Sequence, residues 1–181
     1  MSPLPGMTVP PIRTEHLELV ALPPDAIAAL IAGRRSEAEG ILGLELPQEF
    51  PDPGDLTGFL PIQLHRMEAQ PERREWMARI MVDVEGAAVG HCGFHGPPDT
   101  IGRAEIGYTV FTTFRGRGYA KEAARGLVDW AFAQGQREVY ATISPDNAAS
   151  LAVVRALGFA QVGTQEDEVD GLELVFVIRA A

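Results

Sequence analysis

The stretch Arg115-Gly116-Arg117-Gly118-Tyr119-Ala120 joins two elements of opposite periodicity through a turn that few other residues could make. Upstream, residues 105–114 (Glu-Ile-Gly-Tyr-Thr-Val-Phe-Thr-Thr-Phe) are β-branched and aromatic, the composition of a strand. Downstream, Ala120, Ala123, Ala124, Leu127, Val128 and Ala131 recur at helical spacing and form one apolar stripe. Two glycines at such a strand-to-helix turn let backbone approach a ligand without a Cβ in the way. The free N–H groups of the helix's first turn then face that ligand from the positive end of the helix dipole. The turn therefore reads as an anion seat, suited to a phosphate.

Two phosphate-binding patterns are excluded. No Gly-Lys-Ser/Thr follows, so the lysine and magnesium-binding hydroxyl of a P-loop are absent. The third glycine of a dinucleotide fingerprint is missing too, and no βαβ repeat surrounds the turn. What remains is a seat that grips a phosphate handle, or a turn that serves packing alone.

With 181 residues, 46% of them hydrophobic, the chain can bury a sizeable core as one domain. We expect that domain over 12–181, after a Pro-rich extended tail over 1–11. The tail lacks the basic start and apolar run of a secretory signal. No apolar run approaches the ~18 residues of a membrane span. The single cysteine, Cys92, excludes an internal disulfide and fits a cytoplasmic location. A net charge of −10 argues against nucleic acid as partner and favours the approach of a cationic one, such as an amine.

The order of elements predicts an α+β fold with a mixed sheet. A first strand is expected over 12–20, a helix opening at Pro23-Pro24, a loop over 40–55 and a second helix over 56–69. Residues 76–84 and 87–94 read as a hairpin split by Glu85-Gly86. The strand over 105–114 and the helix after the glycine turn follow, then a strand over 138–143. Asp146-Asn147 is placed to cap a helix that ends at Gly158. Strands over 159–163 and 172–178 close the chain.

Four motifs in this order resemble the GNAT acyltransferase superfamily. Arg115-x-x-Gly118-x-Ala120 is similar to its Arg/Gln-x-x-Gly-x-Gly/Ala motif, and Asn147-x-x-Ser150 with Leu157-Gly158-Phe159 to its Asn-x-x-Ser/Ala helix ending in Gly-Phe. Arg13-Thr14-Glu15-x-Leu17-x-Leu19 and Glu105-Ile-Gly-Tyr…Gly118-Tyr-Ala-x-Glu122-Ala resemble the subgroup of ribosomal-protein N-terminal acetyltransferases. The resemblance spans residues 12–179. It implies a mostly antiparallel central sheet of about six or seven strands with about four helices, and CoA bound where two central strands splay. It also implies acetyl-CoA as donor, a primary amine (peptide N-terminus or small amine) as acceptor, and no metal.

Carried over by position, backbone N–H groups of Arg115, Gly116, Arg117, Gly118, Tyr119 and Ala120 hold the CoA pyrophosphate. Val110, Phe111 and Thr112 pair with the pantetheine amides as an added strand would, with the Val110 N–H facing the thioester oxygen. Asn147 bonds the pantetheine arm or caps its own helix, two roles that can coexist. Aminolysis needs a neutral amine, which for an ordinary alkylamine at pH 7 costs about 4–5 kcal/mol. Glu105 is the first candidate base, with a salt bridge to a neighbour such as Arg103 as its structural alternative; His95 is the second, with loop capping as its alternative. Where the family carries a tyrosine acid in its last helix, this chain has Val154. Ser150 is then the candidate donor to the departing sulfur, or else a packing residue.

Cys92 reads as a buried thiol, and its neighbour His91 points to the opposite strand face, a poor metal pair. Glu122 reads as structural. Trp130 and Phe132 either extend the helix's apolar face or meet a partner subunit in a homodimer. Two function classes follow: an N-acetyltransferase acting by direct transfer in a ternary complex, or a non-catalytic acyl-CoA sensor of the same fold.

Overall fold

The computed structural model describes residues 9–181; of the tail expected over 1–11, residues 1–8 lie outside the described residues. The strands are β1 (Ile12–Arg13), β2 (Leu17–Ala21), β3 (Ala78–Asp83), β4 (Ala88–Phe94), β5 (Arg103–Val110), β6 (Glu138–Ile143), β7 (Ala160–Asp167) and β8 (Gly171–Arg179). They form one sheet in the order β1-β2-β3-β4-β5-β6-β8-β7. Every pairing is antiparallel except β5 with β6, the two strands joined by a helical crossover.

Helices cover both faces. On one side α1 (Pro24–Ile31), α2 (Arg35–Leu42) and α3 (Leu60–Ala69) bury Ile27, Leu30, Leu60 and Met67 against Met77 and Ile80. On the other, α4 (Tyr119–Ala133) and α5 (Ala148–Ala156) bury Leu127, Val128 and Val154 against Val89, Ile106 and Val139. Burying one such aliphatic side chain contributes about 1.5–3 kcal/mol. The apolar stripe after the glycine turn is therefore the buried face of α4. Trp130 extends it, meeting Trp76 at 4.7 Å and Phe94 at 5.5 Å between ring centroids.

The architecture departs from expectation in number: eight strands rather than six or seven, and five α-helices rather than four. The stretch expected as one strand over 12–20 is two, broken at a turn over 14–16. Glu122 of α4 staples that turn, accepting hydrogen bonds from the Thr14 hydroxyl at 2.5 Å and the His16 N–H at 2.6 Å. α2 partly replaces the expected loop. It buries only Ala38 and contains Gly40, so it carries too weak an apolar period to be seen in sequence. The strand expected over 105–114 ends at Val110, because residues Thr112–Phe114 tighten into a 3-10 turn. A π-helical turn, Asp55–Phe59, leads into α3.

One charged residue is built into the core. Arg79 of β3 is 1% exposed, and its guanidinium donates to the carbonyls of Pro10 and Leu19 at 3.1 Å and of Glu75 at 3.0 Å. It also lies over the Trp130 ring, 5.7 Å from the centroid. The cation thus pins the entering chain, β2 and α4 to one strand. Replacing it leaves carbonyls without donors, so Arg79→Met should lose about 2–4 kcal/mol of stability, read as a lower urea midpoint with an unchanged slope. A midpoint like that of the parent would show the three carbonyl contacts to be energetically idle.

Candidate active site

β5 and β6 pair for only three residues, Arg103–Glu105 against Glu138–Tyr140. Beyond that point β5 stays with β4 as far as Val110, and β6 stays with β8 as far as Ile143, so the two separate. The direction of the backbone groups along β5 follows from its bonds to the β4 side. The Glu105 carbonyl accepts from the His95 N–H, and the Phe111 N–H donates to the Val89 carbonyl, both at 2.9 Å. Because alternate residues of a strand turn their N–H and C=O to opposite sides, those of Ile106, Tyr108 and Val110 face the gap.

Two cavities occupy this gap. The larger, about 700 Å³, is walled by β4, β5, the end of β6 and the loop before α3. The smaller, about 430 Å³, runs along the glycine turn and the first turns of α4 and α5. They share Tyr108, Thr109, Val110, Arg115, Asn147 and Ser150, which form a throat between them.

At the smaller cavity Gly116 and Gly118 take φ values of 76° and 84°, left-handed backbone that side-chain-bearing residues rarely adopt. The first bond within α4 runs from the Glu122 N–H to the Gly118 carbonyl. The N–H groups of Tyr119, Ala120 and Lys121 precede it and have no acceptor inside the helix. Arg117 lies over the Phe114 ring at 5.4 Å, and Arg115 donates from Nε to the Val110 carbonyl at 3.2 Å. Lys121 also lines this cavity. Sequence reasoning passed over it, although its place one residue past Ala120 puts a cation on the same first turn.

The three residues expected to pair as a strand edge divide. Val110 turns to the gap, but the Phe111 N–H is taken by Val89, and the Thr112 N–H donates to the Glu49 carboxylate at 2.8 Å. The Thr112 hydroxyl also donates to Glu49, at 2.7 Å. The expectation for Phe111 and Thr112 as edge donors is thereby corrected: the Phe111 N–H continues the β4 ladder, and the Thr112 N–H, in the 3-10 turn past the end of β5, goes to Glu49. Asn147 caps α5, its Oδ1 accepting from the Ser150 N–H at 3.1 Å, and still lines both cavities. Val154 is fully buried in the core.

Glu105 pairs with His95, which lines the larger cavity. The Glu105 Oε1 accepts from the Thr142 hydroxyl at 2.7 Å and sits 3.3 Å from His95 Nδ1. Burial favours the neutral acid, but the hydrogen bonds and charge of His95 and the Thr142 bond outweigh it, so the Glu105 pKa lies below its ordinary value. An ionised carboxylate only accepts, so Nδ1–H is the donor to it, and in the neutral ring Nε2 is then the acceptor. The ring lies over Gly107: a Cβ there would come within 2.6 Å of Nε2. The two candidate bases therefore form one unit, a carboxylate held ionised beside an imidazole that it orients.

His91 behaves differently. It stacks on Phe59 at 4.6 Å, and burial pushes its pKa down to about 4. Cys92, on the opposite face, is buried in the core with its thiol pushed up to about 12. Among the described residues no cluster of His, Cys, Asp or Glu could hold a metal ion, and no helix is long and apolar enough to cross a membrane.

Between about pH 6.5 and pH 4 the unfolded chain binds a proton at His91 that the folded chain refuses, so stability falls as pH falls through that window. The full effect is about 3 kcal/mol. His91→Gln should therefore lose less stability than the parent between these limits, measured by urea unfolding at a series of pH values. Parallel curves would remove His91 from the acid response.

The family model for the acetyltransferase (GNAT) domain matches residues 17–160. Among curated proteins the chain is 33% identical over 89 residues to the uncharacterized N-acetyltransferase p20 of Bacillus licheniformis, covering 49% of this chain and 50% of that protein. The chain thus spans about half the length of the curated relatives it matches. Among solved structures it resembles an acetyltransferase from Agrobacterium tumefaciens, with a TM-score of 0.65, 23% identity and coverage of 99% of this chain and 100% of that one. Mycobacterium smegmatis RimJ in complex with CoA-disulfide aligns with a TM-score of 0.64 and 21% identity over 95% of this chain and 90% of that one. A glycine turn opening α4, a central strand pair that separates and a family match over most of the sheet lead to one conclusion: this chain belongs to the GNAT acetyltransferase family.

Proposed function

We propose that the protein transfers an acetyl group from acetyl-CoA directly to the amine of a cationic acceptor, both substrates being bound at once. The observation that carries this reading is the meeting of two cavities at the gap between β5 and β6. One has the lining for a phosphate-bearing donor, the other for a positively charged acceptor.

The residues of the smaller cavity fit the donor. Free N–H groups at the start of α4, the two left-handed glycines and the nearby Arg117 and Lys121 suit a pyrophosphate. Each interaction with the helix end is worth about 0.3–1 kcal/mol, so several must act together. The Val110 N–H, turned to the gap, suits the thioester oxygen. Acetyl-CoA supplies an acyl carbon open to attack and a thiolate that can leave.

The larger cavity fits a cationic amine. Glu49, Asp52, Asp55, Asp170 and Glu173 line it, with Arg115 as the basic counterpart. Arg115 is already engaged by the Val110 carbonyl. The surplus of carboxylates attracts an ammonium, which releases one proton to solvent to become the neutral nucleophile; His95 Nε2 then takes the second proton, which the nitrogen sheds as the amide forms. Glu105 holds the imidazole in the required tautomer and stabilises the imidazolium that forms.

Saturating acetyl-CoA at about 100 times its Kd should stabilise the fold by about 2.7 kcal/mol, read as a rise in Tm of about 5–10 °C. A thiol-release assay over a panel of amines should then find turnover. Stabilisation without turnover on any amine would favour an acyl-CoA sensor, and no stabilisation would sink both readings.

Gly107→Ala tests the base. Its Cβ must displace the far end of the His95 side chain, which costs the fold little. Turnover should fall about 10²-fold or more at near-parental Tm. Parental turnover in this variant would exclude His95 as the base.

A further inference from the structure

Once the amine has attacked, the electron pair of the broken C–S bond leaves on sulfur, and an unassisted thiolate carries its full charge into a partly dry throat. A donor placed there would bear directly on the rate. Six residues line the throat, and most of their polar groups are committed elsewhere. Arg115 is held by the Val110 carbonyl, and Asn147 Oδ1 by the Ser150 N–H. Thr109 lies on the strand face shared with its partner His91, away from α5.

Tyr108 is placed differently. It stands on the same face of β5 as the buried Ala104 and Ile106, and it packs against the core beneath α4 and α5. Its hydroxyl donates to the Ser150 carbonyl across the gap, at 3.1 Å. That is long for an O–H···O bond, whose usual length is about 2.7–2.8 Å. The hydrogen can swing from this carbonyl to a neighbouring sulfur by rotation about the C–O bond, with no movement of the ring. Burial pushes the phenol up to about 12, so it stays protonated at neutral pH.

We infer that Tyr108 is a further catalytic residue, donating a hydrogen bond to the sulfur of the departing CoA thiolate. The inference rests on the acetyl-transfer reading above. The balance is simple. The nitrogen–carbon bond forms as the carbon–sulfur bond breaks, the nitrogen's proton passes to His95 Nε2, and the electron pair stays on sulfur. Tyr108 keeps its own proton, because a phenol near 12 is a weaker acid than a thiol near about 8.5. The thiolate takes its proton later from solvent. Val154 offers nothing at this step, and the Ser150 hydroxyl is the competing donor.

Tyr108→Phe keeps the ring and removes the donor. Its kcat should fall about 10- to 100-fold, the range for a hydrogen bond to a charged group, while the Kd for CoA changes by less than about threefold. A direct reading comes from the ultraviolet absorbance of the thiolate of bound CoA, titrated with pH. Loss of the donor should raise the thiol pKa by about one to two units relative to the parent complex. An unchanged thiol pKa would overturn the assignment, as would a fall in kcat matched by an equal rise in Kd. A raised thiol pKa in Ser150→Ala but not in Tyr108→Phe would transfer the role to Ser150. Thermal shifts with CoA in the same samples separate the two levels. Failure of the parent protein to bind CoA overturns the acetyl-transfer reading and this one together. Binding with an unperturbed thiol overturns the role of Tyr108 alone.

Discussion

The short parallel contact between β5 and β6 governs the rest of the molecule. Three paired residues hold the two halves of the sheet together, and each strand then follows its own antiparallel neighbour. A gap inside a sheet leaves a row of backbone groups without strand partners, a costly arrangement for an isolated fold. Side chains bridge the gap without satisfying those groups: the Thr142 hydroxyl reaches the Glu105 carboxylate near the vertex, and the Tyr108 hydroxyl reaches the Ser150 carbonyl of α5 further out. The N–H of Val110 is among the backbone groups turned to the opening.

Electrostatics divide the gap into two halves of opposite preference. The glycine turn presents N–H dipoles and Lys121 to one side, within a chain whose net charge is −10. The other side gathers carboxylates from two separate stretches: the segment before α3 and the β7–β8 hairpin. The two sides therefore differ in the charge that their walls favour. The same low-dielectric surroundings act on the groups in the walls. Burial drives His91 to its neutral form, whereas the partners of Glu105 keep it ionised despite burial.

Several features were legible in the residues because they depend on local pattern. The strand–glycine turn–helix unit, the Asn147 cap and the stripe on α4 need only propensity, periodicity and capping chemistry. The features that were missed depend on distant partners. The break over residues 14–16 needs Glu122, which is 108 positions away from Thr14. The early end of β5 needs Glu49, 63 positions from Thr112. α2 buries a single residue and so leaves no periodic trace. Tyr108 looked like one more aromatic strand residue until α5 was placed across the gap from it.

By itself, the order of the residues determined where the glycine turn lies, which helix it opens and that the fold is α+β, because those properties follow from backbone stereochemistry and from periods of two and 3.6. Only the tertiary structure decided which groups face the gap and which are spent inside the protein. His95 and Glu105, ten positions apart on adjacent strands, become an oriented pair because antiparallel register brings them to the same face. Phe111 and Thr112 are not edge donors because a β4 carbonyl and a carboxylate from another loop claim their N–H groups. Register, burial and long-range hydrogen bonding are properties of chain segments brought together, so no local pattern encodes them.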